Sequence, residues 1–299
     1  MRLVIALGGN ALLKRGESLT AENQRRNMQA AAAGLARACA GNEVAIVHGN
    51  GPQVGLLALE AEAYGAVPAY PLDVLSAESQ GMIGYVVAQE LRNVITPRRV
   101  ACLLTQTLID PADPAFGRPT KPIGPVYPSI EAAKQASRSG WTFAPDGHGY
   151  RRVVPSPKPT GIVEFEEIAG LVERRVVTIC CGGGGIAVTG VDSRLTGVEA
   201  VVDKDWTAAL LAARLKADRL VILTDVDAVY AHWGKPGQEA VREIGPNDLA
   251  SLALAEGSMR PKVEAAMQFA KATGRPTMIG ALDDIGALID GSAGTRIFA

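Results

Sequence analysis

At 299 residues, 47% hydrophobic and 20% charged, the chain has enough apolar material for a sizeable core and need not hold more than one or two domains. A formal net charge of −1 offers no basic face to a nucleic acid or an anionic membrane, so small molecules are the expected ligands. No window is apolar over the roughly 18 residues that a membrane span needs, and the N-terminus lacks the pattern of a signal peptide, which makes the cytoplasm the expected compartment.

The chain opens on an apolar run at 3–7 that predicts an interior strand, and this runs directly into Gly8, Gly9 and Asn10. A helix is predicted over 20–40, where Thr20 is placed as its cap, Met28, Ala31, Ala32, Leu35 and Cys39 share one face, and Gly41 follows its end. A second strand at 44–48 ends in His48, Gly49, Asn50 and Gly51. A helix at 73–93 and a strand at 100–104 come next. Residues 119–159 break the pattern, being rich in proline, glycine and polar side chains. Within them WTFAPDGHGYRRVV predicts two strands around a Pro-Asp-Gly turn, a hairpin too small to be stable alone and suited to a flap over a site. Strands at 176–181, 219–223 and 276–279 then alternate with helices at 206–216 and 261–273.

This alternation predicts an α/β protein, a three-layer αβα sandwich with a mainly parallel open sheet. Two lobes are expected, 1–195 and 196–299, with a small hairpin-containing subdomain protruding at about 120–158. The four cysteines, Cys39, Cys102, Cys180 and Cys181, have neither metal nor redox spacing and are expected to be buried thiols.

Three of the predicted strands lead into glycine: at Gly8 and Gly9, at Gly49 and Gly51, and at Gly182 to Gly185. Free backbone N–H groups beyond the carboxyl ends of parallel strands form anion-binding nests. One such loop is equally well a tight turn; three in register favour a shared anion. Neither a P-loop nor G-x-G-x-x-G is present, which disfavours the enzymes that use them.

The first strand and loop carry no cation, so positive charge must come from elsewhere. Lys204 and Lys262 each fall in the first turn of a predicted helix, with Pro261 suited to a first helical position. Lysine there is unfavourable by roughly 0.3–1 kcal/mol, because the helix dipole already makes that end positive. An anion resolves the conflict, although a lysine pointing into solvent also does. Asp203 and Asp205 suit helix caps, and Asp205 also suits a place between the two ammonium groups, orienting them. These parts match phosphoryl transfer, where a protein chiefly positions reactants and neutralises charge. The histidines His48, His148 and His232 are scattered, which argues against a covalent mechanism. A nucleotide end is expected after the strand at 219–223, where Tyr230 offers a flat apolar surface and Lys235 a phosphate-reaching charge. Asp225 and Asp227 read either as turn formers or as a metal pair, and no direct metal ligand is assigned.

The ordered set ALGGNALL, VHGNGPQVG, SQGMIGY, TKPIGP, CGGGGIAV, GVEAVVDKD, LTDVDAVY with WGKPGQ, and GSMRPKVEAA covers nearly the whole chain. It resembles the carbamate kinases of the amino-acid-kinase fold family. That resemblance implies a homodimer catalysing reversible, magnesium-dependent phosphoryl transfer between ATP and carbamate, giving ADP and carbamoyl phosphate, with a link to arginine breakdown. Relatives such as N-acetylglutamate kinase carry a lysine where this chain has Ala6; the resemblance gives that duty to Lys204. It gives Lys262 the nucleotide's terminal phosphates, Asp205 the organisation of the lysines, and Lys121 of the flap the carbamate or carbamoyl phosphate. Gly8, Gly9, Asn10, Gly49, Asn50, Gly51, Gly183 and Gly184 are then expected on the carbamate side, and Asp225, Tyr230, Lys235 and Met259 on the nucleotide side. Magnesium would be held largely by nucleotide phosphates. The chain departs from the family at Ala187, usually proline, and Trp206, usually leucine. Two other readings remain: a kinase of an amino-acid carboxylate, disfavoured by Ala6 and Lys121, and a catalytically silent nucleotide-binding protein, disfavoured by the retained lysines.

Overall fold

The computed structural model describes residues 1–14, 16–136, 141–191, 194–248, 252 and 259–299, the side chains of Asn10 and Val191 excepted. From the N-terminus, β1 (Arg2–Leu7), α1 (Ala21–Cys39) and β2 (Glu43–His48) form a strand-helix-strand unit. The helices α2 (Gly51–Tyr64) and α3 (Leu72–Ile95) follow, then β3 (Val100–Cys102) and β4 (Gln106–Ile109). The inserted segment holds β5 (Lys121–Tyr127), α4 (Ile130–Gln135), β6 (Phe143–Asp146) and β7 (Gly149–Val154). Next come β8 (Pro159–Ile162), α5 (Phe165–Glu173), β9 (Val177–Ile179), β10 (Ile186–Val191) and β11 (Arg194–Gly197). They lead to α6 (Lys204–Arg214) and β12 (Arg219–Thr224), then to β13 (Val229–Ala231), β14 (Glu239–Val241) and β15 (Glu243–Ile244). Last are α7 (Met259–Thr273), β16 (Thr277–Ala281), α8 (Ile285–Asp290) and β17 (Thr295–Ile297).

The main sheet has eight strands in the order β15-β17-β16-β12-β1-β2-β9-β3, all neighbours parallel except β16 and β17. Its middle strand shows why a continuous apolar run was needed. Val4 and Ala6 point into a core with Ala208, Leu211, Val263 and Phe269 of α6 and α7, while Leu3, Ile5 and Leu7 point the other way against Met28, Leu35, Ile83 and Leu288. A strand covered on both faces has no polar side to alternate with. The result is the three-layer αβα sandwich, and the sheet runs without a break across residue 195 because β1 pairs with β12. Cys39, Cys180 and Cys181 are buried as expected, but Cys102 is exposed, because β3 is the outermost strand at its edge of the sheet. No helix among the described residues is long and apolar enough to cross a membrane.

The hairpin forms as β6 and β7, and with β5 it makes a three-stranded antiparallel sheet. It does not stand free. Gly124 of β5 lies against Gly55 of α2, and a Cβ added at Gly55 would sit 1.9 Å from the Gly124 Cα. Only two glycines permit backbones to approach so closely, and Gly124 has a φ of +74° besides. Sequence periodicity predicted neither α2 nor the four-stranded sheet β11-β10-β4-β8. α2 hides few apolar side chains from solvent, Val54 and Ala58 being the buried ones, so it carries little of a one-sided pattern.

Candidate active site

The carboxyl ends of β1, β2 and β12 emerge side by side, and β1 and β12 are where the strand order reverses direction along the chain. That is the position where open α/β sheets bind ligands. A Cβ on Gly8 would meet the Leu223 carbonyl oxygen at 2.7 Å, and one on Gly49 would lie 3.9 Å from the Gly9 nitrogen. Gly9, Asn10 and Ala11 form a single tight turn. The third loop joins them: Gly183 is at φ +65° and Gly184 at φ +93°, and a Cβ on Gly183 would collide with the Asn50 amide nitrogen at 2.2 Å. Space excludes a side chain at Gly8, and space and backbone conformation together exclude one at Gly183 and Gly184, whereas nothing crowds a Cβ at Gly9. The Gly184 carbonyl is fixed by hydroxyls of Thr107 and Thr207, each at 2.9 Å. Gly8, Gly9, Gly49, Gly183 and Gly184 are thus brought together. Asn50 is buried with its amide donating to Ser79 Oγ at 2.8 Å, which holds the loop from beneath, and Gly51 opens α2.

Lys204 is the first residue of α6, capped by Asp203, whose Oδ1 accepts from the Asp205 backbone N–H at 2.8 Å. The Lys204 stem runs past Gly49, whose Cβ would lie 3.4 Å from the lysine Cδ. Its Nζ donates to Asp205 Oδ1 at 2.6 Å, while Lys262 Nζ donates to Asp205 Oδ2 at 2.8 Å. Lys121, at the start of β5, donates to Asp203 Oδ2. Lys262 reaches this point from α7, which is described from Met259 onward, so Pro261 is not its first residue. The first helical N–H groups have no intrahelical partner, and proline is tolerated there for that reason. Ala6 is fully buried in β1 beneath α6.

Asp205 is only 2% exposed and Lys204 9%. Burial lowers the Lys204 pKa to about 8, the neighbouring Lys262 charge adding to this and Asp205 only partly opposing it. Burial also opposes charge on Lys262, but the ion pair and hydrogen bond to Asp205 outweigh it and its pKa is raised. Asp205 is held well below the carboxylate range, its own burial being outweighed by the two ammonium groups. His48 is neutral, its pKa pushed down to about 4 by burial.

Beyond β12, the Tyr230 hydroxyl donates to Asp227 Oδ1 at 2.7 Å, and its ring meets Trp233 edge-on at 5.3 Å. Lys235 is exposed on the following turn, Asp225 is exposed at the strand end, and Met259 of α7 packs half-buried on the core. Ala187 is buried in β10, paired with Thr107, and Trp206 lies under the Lys158 ammonium at 4.3 Å. Sequence reasoning placed Asp203 only as a cap; its second oxygen, taken by Lys121, depends on a strand 82 residues away. Thr107, Thr207 and Ser79 were also missed, since a hydroxyl beneath a glycine loop leaves no pattern in the chain.

The model of the amino acid kinase family matches residues 1–281. The chain belongs to the amino acid kinase family. Within it, the carbamate kinase of Haemophilus influenzae is 54% identical over 301 residues, covering 99% of this chain and 96% of that protein. The carbamate kinase of Thermococcus kodakarensis is 43% identical, covering 99% and 98%. Among solved structures of the family, carbamate kinase from Giardia lamblia bound to citric acid superposes with a TM-score of 0.93 at 40% identity, covering 99% of this chain and 98% of that one. The same enzyme bound to AMP-PNP gives 0.89 at 41%, with the same coverage.

Proposed function

We infer that the chain is a carbamate kinase, transferring a phosphoryl group between ATP and carbamate to give ADP and carbamoyl phosphate. The observation that carries this reading is one buried carboxylate, Asp205, bridging two lysines beside a cradle of glycine amides. In phosphoryl transfer the protein's work is positioning and charge neutralisation. Lys204, lying over Gly49, faces the acceptor side, and Lys262, from α7, faces the nucleotide's terminal phosphates. Asp205 accepts from both and moves no proton: it fixes the two ammonium groups at the separation the transferring group requires. The Gly49 and Gly184 N–H groups donate to the Leu7 and Cys181 carbonyls and hold the loops in shape, while those of Gly9 and Gly183 stabilise charge on the phosphoryl oxygens.

Lys121 enters from the flap to engage carbamate or carbamoyl phosphate. The lobe 1–195 would hold that substrate, with the flap at about 120–158, and the lobe 196–299 the nucleotide, through Asp225, Tyr230, Lys235 and Met259. Both oxygens of Asp203 and both of Asp205 are engaged by nitrogen donors. They leave no vacant carboxylate for a hard cation, which fits Mg2+ entering as a chelate of the nucleotide phosphates. When bound in that way, it neutralises phosphate charge.

A cytoplasmic homodimer, working toward ATP from carbamoyl phosphate in arginine breakdown, completes the reading. Val74, Met82 and Tyr85 support the dimer, being exposed along one side of α3. Sedimentation would show a dimer, and a monomer at assay concentration would remove that part. The central test is to mix purified protein with ADP, carbamoyl phosphate and Mg2+. ATP should form. Nucleotide binding without turnover, or turnover only with an amino-acid carboxylate and ATP, would replace the assignment.

A further inference from the structure

Three chain segments meet at one residue that caps a helix. Asp203 precedes α6, and its Oδ1 accepts the Asp205 N–H at 2.8 Å. Its backbone carbonyl accepts the Thr207 N–H at 3.1 Å, and the Thr207 hydroxyl continues to Gly184 of the glycine loop. Its Oδ2 takes the ammonium of Lys121. With one oxygen committed to the helix cap, the carboxylate has no freedom to turn, so the direction in which it offers the other oxygen is set by the helix.

Lys121 is the opposite case. Its backbone is held in β5, where it pairs with Val154, and β5 is seated on α2 at Gly55 and Gly124. Its side chain has four rotatable bonds and a point charge that fits many partners. It is 27% exposed, against 15% for Asp203, so solvent competes for it. One rigid anion and one mobile cation make a pair in which the anion determines where the cation stays. The charges around the first turn of α6 are Lys121, Lys204 and Lys262 against Asp203 and Asp205. Without Asp203, Lys121 would face two further cations and swing away from them into solvent.

We propose that Asp203 is a positioning residue for the phosphoryl-transfer reaction: it holds the flap lysine at the acceptor end of the site and couples the flap to the helix that carries Lys204 and Asp205. This rests on the carbamate kinase reading, and it goes beyond it in giving Asp203 a task separate from capping. Ligand binding then exchanges one oxyanion partner of Lys121 for another across a short distance, with no search by a free side chain.

Asp203→Asn separates the two tasks, because asparagine caps a helix as well as aspartate but carries no charge. The expected result is an unfolding temperature near the parent's, a KM for carbamoyl phosphate raised about tenfold, as for loss of one charge-assisted contact, and a KM for ADP within about twofold of the parent's. In a Lys121→Ala background the same change should move the carbamoyl phosphate KM by less than about twofold, since the group it positions is gone. Asp203→Ala, which also removes the cap, should lower the unfolding temperature as well. Equal effects of Asp203→Asn on both KM values, or an undiminished effect without Lys121, would overturn the proposal while leaving the carbamate kinase reading intact. A parent protein that makes no ATP would instead remove the reading on which it rests.

Discussion

Lys204 and Lys262 share a single carboxylate, each within 2.8 Å of its own oxygen of Asp205, although the two lysines come from different helices 58 positions apart in the chain. Two cations at helix N-termini repel both the dipoles and each other. The buried aspartate cancels part of that repulsion, and a phosphoryl group cancels the rest.

Lys262→Ala and Asp205→Ala should therefore differ in kind. The first leaves the Lys204–Asp205 pair intact; we expect turnover to fall by about 10²- to 10³-fold, as for loss of one transition-state charge donor, with little change in unfolding temperature. The second strands two buried ammonium groups, and destabilisation on the order of 3–5 kcal/mol should accompany the lost activity. Thermal unfolding and initial rates on the same preparations check both. Near-normal turnover in Lys262→Ala would refute its role.

Activity should fall on the alkaline side. Lys204 is needed charged, and its pKa in the free protein is lowered to about 8, so kcat/KM should decline as pH rises through that value. A bound phosphate favours the ammonium form, so kcat itself should decline only at higher pH. A kcat/KM profile flat to pH 10 would contradict this.

The acid limb concerns the fold. Asp205 has its pKa lowered from 3.8, so its stabilisation is complete above that value and is lost as the pH falls below it. Resistance to denaturant should fall below about pH 4, and this component should be missing in Asp205→Asn.

Lys121→Ala should raise the KM for carbamoyl phosphate by about tenfold or more while leaving that for ADP close to the parent's. Impaired nucleotide handling with an unchanged dependence on carbamoyl phosphate would remove the flap from the acceptor side.

Gly55→Ala tests the seating of the flap. Its Cβ would fall 1.9 Å from the Gly124 Cα, and backbone has no rotamer with which to yield. We expect a cost of about 1–3 kcal/mol and a displaced flap, read as a raised KM for carbamoyl phosphate. Parent-like values for both would show that β5 is not held there.

Much of the architecture could be read along the chain because its causes are local. The unbroken apolar run at Leu3–Leu7 demanded a strand covered on both faces, and the face of α1 carrying Met28, Ala32 and Leu35 demanded a core beneath it. That Lys204 and Lys262 each stood at a helix entrance that disfavours a cation was legible too, with Asp205 suited either to a cap or to a place between them; that the two lysines meet on it was not. What the chain could not display was anything that depends on two segments meeting. Gly55 and Gly124 are ordinary glycines until one backbone rests on the other. Asp203 is an ordinary cap until Lys121 arrives from β5, and Thr107, Thr207 and Ser79 are ordinary hydroxyls until a glycine loop lies over them. Periodicity and helix-end chemistry are properties of neighbours in sequence; contacts at long range are created only when the sheet brings its carboxyl ends to one edge, and there the tertiary structure alone decided which charges face each other.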